Sequence, residues 1–282
     1  MSGPAQNFIL DAHVHHWSIA RGDYGWLTPA LKPIYRDFGA PEFAPLARAT
    51  GVEGVILVQA APTEAETFYL LELAQAHSYV KGVVGWTDFA RPDAAQNIAK
   101  LAADPKLVGL RPMIQDIADD DWMLRPELAP SFEAMMVHGL SFDALVLPRH
   151  LKNLQKLIRR YPQLKLVIDH GAKPPIRGSK LHPWKEDIAA CAAAGPVLVK
   201  LSGLLTEAGE GWKEEDLAPY ITHLYDVFGF GRLTWGSDWP VLNLASDYVS
   251  WFQIAHRLLP PLDKAAEAAV FGGNAARFYG VV

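Results

Sequence analysis

The chain has 282 residues, half of them hydrophobic, and carries 26 basic against 31 acidic side chains for a net charge of −5. That is ample for a full core, and a slightly acidic balance with no basic block argues against nucleic acid or an anionic membrane as the main partner. No apolar stretch reaches ~18 residues without a charge, a proline or a polar break, so no membrane span is expected.

The single cysteine, Cys191, excludes an internal disulfide. Its alanine-rich surroundings predict an inert, buried thiol. Met1–Asn7 shows no basic region followed by an apolar run, so no signal peptide is expected. These readings describe a cytoplasmic protein of enzyme size, with 1–282 as a single domain and with self-association into a homo-oligomer left open.

In chain order, the first apolar run is Phe8–Val14, followed at once by His15, His16 and Trp17. Further short runs rich in Val, Ile and Leu stand at Val55–Gln59, Gly82–Trp86, Val108–Met113, Ser141–Val146, Lys165–Asp169, Val197–Leu201 and Leu233–Gly236. Most are apolar on both faces, the pattern of strands buried in a parallel sheet. Helical patterns lie between them, at Thr63–His77, Asp93–Ala103, Arg125–His138, His150–Tyr161, Pro183–Ala194 and Glu214–Phe228. Thr63 and Glu66 suggest a capping box. In His150–Tyr161, Leu151, Leu154, Leu157, Ile158 and Tyr161 share one face, with Lys and Arg opposite.

Alternation at this length implies successive right-handed βαβ units and a (β/α)8 barrel. A doubly wound open sheet is the runner-up. It would carry a Gly-rich first turn, where this chain has HVHHW. Three long connections, Ser18–Pro45, Gly171–Trp184 and Leu204–Lys213, all follow strands. In a barrel they sit on the C-terminal, active-site face. The stretch Gly272–Tyr279 reads as an Asn-capped last helix that packs the barrel shut.

Three strand ends carry chemistry. His13 and His15 alternate onto one face, and His16 points away. Two imidazoles there suit a metal or the polarisation of a carbonyl. Asp238 follows the last strand, which meets the first across the barrel seam, and is placed to act as a base toward water. Asp169 and His170 are adjacent, so a regular strand turns only one inward. We assign His170 to the lumen and Asp169 to an orienting role. Arg111 ends the fourth strand and suits a carboxylate, carbonyl or hydroxyl. Lys173 suits an oxyanion or hydroxyl. Asp143, in mid-strand, is either a buried hydrogen-bonded group or part of the site. The other histidines read as surface or helix-end groups, with His182 placed to approach the pocket.

The motifs DAHVHHW, GLRPMIQD, VIDHGAKPP, VKLSGLLTEA, TWGSDWPV and GNAARFYG, in that order, resemble the amidohydrolase superfamily. They are most similar to its branch of sugar-acid lactone hydrolases, L-fuconolactonase-like and related to 2-pyrone-4,6-dicarboxylate lactonase. The resemblance implies a distorted (β/α)8 barrel that opens a lactone such as L-fucono- or galactonolactone. It implies that Asp238 activates water, that His13, His15 and His170 polarise the carbonyl or hold a metal, and that Arg111 and Lys173 bind substrate. Gln59 is added as a contact to sugar hydroxyls and Trp26 as a cover for the ring.

Binuclear members also use a lysine or glutamate on the fourth strand and a histidine on the fifth. Here those strands read Leu110-Arg111-Pro112-Met113 and Phe142-Asp143-Ala144-Leu145, so a two-metal centre is not expected. His13, His15, His170 and Asp238 leave two options: one Zn²⁺, or no metal at all. The competing readings are a metal-dependent non-oxidative decarboxylase of the same superfamily and a barrel that binds a ligand without turnover.

Overall fold

The structure is a computed structural model and describes residues 8–281; the reading of Met1–Asn7 lies outside them. Among the described residues, eight strands form one parallel sheet in sequential order. They are β1 (Ile9–Val14), β2 (Val52–Val58), β3 (Val80–Gly85), β4 (Leu107–Leu110), β5 (Ser141–Ala144), β6 (Leu166–Ile168), β7 (Leu198–Leu201) and β8 (Leu233–Trp235). The expected barrel is borne out, and the open doubly wound sheet is not.

The seam closes beyond the end of β8. The His15 N–H donates to the Trp239 carbonyl at 2.7 Å, and the Asp238 N–H donates to the His13 carbonyl at 2.9 Å. Asp11 adds a buried tie across the same seam. It accepts from the Ser237 N–H at 2.9 Å and the Tyr248 hydroxyl at 2.8 Å.

Several strands stop earlier than their apolar runs. β4 ends before Arg111-Pro112, because proline has no N–H for the ladder. β6 ends at Ile168 because His170, Gly171, Ala172 and Lys173 all take left-handed backbone conformations.

The helix Leu151–Arg160 buries Leu151, Leu154, Leu157 and Ile158 as its spacing predicts. The outer connections hold more helix than expected. Ala40–Thr50 begins inside the loop read as Ser18–Pro45. Pro41 fits its first turn, and the Glu42 carboxylate reaches back to the Gly39 N–H at 3.0 Å. Leu204–Ala208 opens the third connection, and Tyr248–Leu258 and Lys264–Ala268 are additional. No described helix is long and apolar enough to cross a membrane.

Apolar side chains pack in two places. One layer lies between sheet and helices. The other fills the lower lumen, where Leu10, Ile56, Val58, Val84 and Val167 meet Ala275, Ala276 and Tyr279 from the last helix. Full burial of each large aliphatic contributes roughly 1.5–3 kcal/mol.

Two local readings need correction. Asn274 is not a cap. Its Oδ1 accepts from Arg277 at 2.6 Å, and its amide donates to the Leu233 carbonyl at 2.7 Å, tying the last helix to β8. Thr63 does cap its helix, accepting from the Glu66 N–H at 3.1 Å. The Glu66 carboxylate, however, turns to the backbone after β2, where it accepts from the Ala60 N–H at 2.8 Å and from the Ala61 N–H. Burial pushes that carboxyl up to about 7. Cys191 is buried as expected, its thiol pushed up to about 12 by burial.

Candidate active site

The C-terminal mouth gathers three imidazoles around one carboxylate oxygen. Asp238 Oδ1 lies 3.3 Å from His15 Nε2, 3.7 Å from His13 Nε2 and 3.9 Å from His170 Nε2. The loop after β8 delivers Asp238 in a left-handed conformation, φ 60°, turning its side chain back toward β1.

Each imidazole is held through its far nitrogen. His15 Nδ1 donates to the Val58 carbonyl at 2.7 Å, and His170 Nδ1 meets Ser202 Oγ at 2.9 Å. His13 Nδ1 faces Lys200 Nζ at 3.2 Å. Such fixing of the far nitrogen aims each Nε2 at a common point.

Burial depresses the His170 pKa to about 4 and holds His13 well below the usual range, so both rings are neutral near neutral pH. For Asp238, burial by itself raises the carboxyl. The neighbouring His170, the His15 hydrogen bond and His13 outweigh it and hold the group well below the usual carboxylate range.

Beneath this cluster lies a second charged layer. Lys200, from β7, has no exposed surface and sits 2.6 Å from Asp143 Oδ2 and 3.0 Å from Asp169 Oδ1. Asp143 also accepts from Ser141 Oγ at 2.9 Å and the Tyr279 hydroxyl at 2.6 Å. Of its two readings, the buried hydrogen-bonded group is the one observed. Asp169 meets Arg111 Nη1 at 3.4 Å and His13 Nδ1 at 3.6 Å. Burial acts to raise Asp169, but Lys200, His13 and Arg111 together outweigh it and hold the carboxyl well below its ordinary value.

Of the expectation for Asp169 and His170, one point is corrected, that only one of the two turns inward; His170 lines the cavity and Asp169 stands against Arg111 and His13. Both enter the lumen, because the chain leaves strand geometry at Asp169 and two-residue alternation no longer applies. Lys200, Ser202 and the partner of Lys173, Glu207 at 3.5 Å, are absent from the sequence reading. A lysine between valine and leucine in the buried run VLVKLSG was the one signal available for Lys200.

A cavity of about 190 Å³ opens above the cluster, walled by His15, Trp26, Arg111, His170, Lys173 and Asp238. Trp26 is pinned there by its indole N–H, which donates to the Ala60 carbonyl at 2.7 Å. His13 lies just below, fully buried.

Gln59 does not face the cavity. Its Oε1 accepts from Arg111 Nη2 at 3.0 Å and its Nε2 donates to the Arg111 carbonyl at 3.0 Å, so both ends of the amide are spent on positioning Arg111. His182 is also away from it, exposed and paired with Glu186. His16 points outward to Tyr79, Phe43 and Trp239. His150 and His223 are buried rather than on the surface.

Eight parallel strands closed into a barrel, with a His and Asp cluster at the C-terminal mouth, define a barrel hydrolase. The chain belongs to the amidohydrolase family, whose profile matches residues 10–281. It is 48% identical over 279 residues to an L-fucono-1,5-lactonase of Burkholderia ambifaria, covering 96% of this chain and 95% of that protein. It is 33% identical over 288 residues to an L-fucono-1,5-lactonase of Burkholderia multivorans, covering 96% of this chain and 95% of that one. A crystal structure of an amidohydrolase from Burkholderia multivorans with bound zinc matches with a TM-score of 0.92 and 33% identity, covering 98% of this chain and 100% of that one.

The donor chemistry here fits a metal ion. With Nδ1 donating to a carbonyl, His15 presents its Nε2 lone pair to the Asp238 carboxylate at 3.3 Å. Two lone pairs facing at that distance call for a proton or a cation between them. His13, His15 and Asp238 offer ligand atoms within 4.8 Å of one another. His13, Asp169 and His170 form a second such group. There the Asp169 oxygens already face Lys200 and Arg111, which disfavours a further cation.

Proposed function

We propose that this protein opens the lactone of a sugar acid, of the L-fucono-1,5-lactone type, to the free hydroxy acid. The observation that carries the reading is one carboxylate held among three imidazoles, facing a small cavity that also presents two cationic side chains. The two lactonase relatives support it over nearly the whole chain.

In this reading the lactone sits under Trp26 with its carbonyl toward the histidine cluster. Asp238, ionised because its neighbours depress its pKa, accepts a proton from water, and the water oxygen adds to the carbonyl carbon. The oxyanion develops next to Arg111 and His170, whose positions are fixed before reaction by Gln59 and Ser202. Collapse breaks the bond to the ring oxygen, and the proton held at Asp238 passes to that leaving oxygen. The product carboxylate and hydroxyls then face Arg111 and Lys173.

Where one divalent metal binds, His13, His15, His170 and Asp238 would hold it, and it would add Lewis acidity at the carbonyl. A second metal is disfavoured by the side chains just after β4 and within β5: a guanidinium 3.4 Å from His13 Nε2, and an aspartate engaged by Lys200 and Tyr279. An aldonolactone is an activated ester, so the help it needs is modest. Decarboxylation, the competing chemistry, is not favoured by either lactonase relative.

The test is acid release from a panel of aldonolactones, followed with a pH indicator on metal-stripped and Zn²⁺-loaded protein. We expect turnover of fucono- or galactonolactone. Asp238→Asn should lower kcat/KM by at least a hundredfold, about 2.7 kcal/mol of transition-state stabilisation. Retention of activity within tenfold of wild type would remove Asp238 from the role of base. Equal rates in the two preparations would make the metal incidental, and activity only with Zn²⁺ would make the four residues its ligands.

A further inference from the structure

A second chamber adjoins the lactone cavity and plays no part in the chemistry above. It is about 450 Å³ against about 190 Å³ for its neighbour, and the two share Trp26, Met113 and Asp116 as a common wall. A volume of that size lies within the range of ligand sites, roughly 300–1,000 Å³, whereas the smaller cavity holds little more than one ring. The loops after β1 to β4 build the chamber, on the side of the mouth away from His170 and Asp238.

The two cavities differ in charge, the lactone cavity setting two cations beside Asp238 and Asp116 and the larger chamber offering carboxylates alone. Arg111 and Lys173 line the lactone cavity. The larger chamber has no lysine or arginine in its lining and presents Asp23, Asp88 and Asp116. Asp23 Oδ2 is engaged by Arg21 at 2.6 Å and Thr63 at 2.7 Å, while its Oδ1 is buried with no partner among the described residues. Trp26, Trp86, Phe89 and Trp122 supply aromatic wall. Carboxylates repel an anionic group and accept hydrogen bonds from hydroxyls. Flat aromatic rings bury the C–H face of a saturated sugar ring. The combination suits a neutral ring that is apolar on its faces and rich in hydroxyls at its edge.

We propose that the chamber is a subsite for a second sugar, so that the substrate class includes lactones of glycosylated aldonic acids, such as aldobionolactones. This rests on the lactonase reading and extends it. The acid-forming ring lies by Arg111 and Lys173, and the neutral glycosyl group crosses Trp26 and Met113 into the carboxylate-lined chamber. The reaction is unchanged: water adds to the lactone carbonyl, the ring C–O bond breaks, and the glycosidic bond stays intact.

The experiment compares kcat/KM for aldobionolactones of several linkages, including glycosylated galactonolactones, with the unsubstituted lactone of the same acid. Trp86→Ala and Asp88→Asn probe the chamber, and both positions lie outside the lactone cavity. We expect at least one linkage to be turned over tenfold or more better than its parent, chiefly through KM. We expect that gain to fall severalfold in each variant, while the parent lactone keeps its rate within about twofold. Normal turnover of parents with no gain for any linkage overturns the inference and leaves the lactonase reading standing. A gain that a phenyl substituent reproduces and that survives Asp88→Asn overturns the assignment to a sugar. Failure on every lactone, parents included, overturns the lactonase reading and this one with it.

Discussion

Replacing Lys200 by methionine removes the cation at the centre of the buried layer and leaves the alkyl stem in place. Its ammonium is 2.6 Å from Asp143 and 3.0 Å from Asp169, and none of the three side chains has exposed surface. Two buried carboxylates then lose their shared partner. Asp169 keeps Arg111 at 3.4 Å, and Asp143 keeps only the hydroxyls of Ser141 and Tyr279. Stranding one member of a buried pair costs about 3–5 kcal/mol, a large part of the ~5–15 kcal/mol that holds a domain folded.

The unfolding entropy of a chain this long is about 0.6 kcal/mol/K, from ~2.1 cal/mol/K per residue. The expected fall in Tm is therefore about 5–8 °C. Thermal unfolding followed by tryptophan fluorescence measures it directly. Adding Asp143→Asn to the Lys200→Met background removes the less compensated of the two stranded carboxylates and should recover part of the loss. A fall under about 1 °C, or a double variant less stable than the single one, would refute the view that Lys200 compensates these carboxylates.

Two further outcomes rest on the same geometry. Gly203 has φ +63°, and a Cβ there would fall 2.5 Å from His170 Nδ1. Gly203→Ala should displace His170 from Ser202, lower kcat by at least tenfold and cost on the order of 1 kcal/mol of stability; steady-state kinetics and thermal melts check both, and unchanged kcat would mean that His170 is not held from that side. Glu66, with its carboxyl pushed up to about 7 by burial against 4.5 for the free group, holds its proton more tightly when folded. Its contribution is thus full below pH 4.5 and is lost as the pH rises through 7, by on the order of 3 kcal/mol. Relative to wild type, Glu66→Gln should gain stability between about pH 5 and pH 8 in urea titrations, and parallel curves would refute the assignment.

Much of the architecture was legible in one dimension because a parallel barrel writes itself locally. Most strands are buried on both faces and so read as short runs rich in Val, Ile and Leu, and the helix Leu151–Arg160 shows its apolar stripe in Leu151, Leu154, Leu157 and Ile158. Two-residue alternation was enough to pair His13 with His15 and to turn His16 away. The order of the strands then implied that Asp238 would return to β1.

Tertiary structure decided what alternation could not reach. His170 and Asp169 both enter the lumen because the backbone turns left-handed just where the strand ends, a choice no periodic pattern encodes. Gln59 was assigned to substrate on residue type, yet its amide is consumed by Arg111, 52 residues away in sequence. Lys200 looked like a lone charge in an apolar strand, and only closure of the barrel brings it within reach of Asp143, Asp169 and His13. The sequence by itself determined which side chains could do chemistry and which strand ends carry them. The closed barrel determined which charges compensate one another, since burial makes an ion pair obligatory only once the partners share a space from which water is excluded.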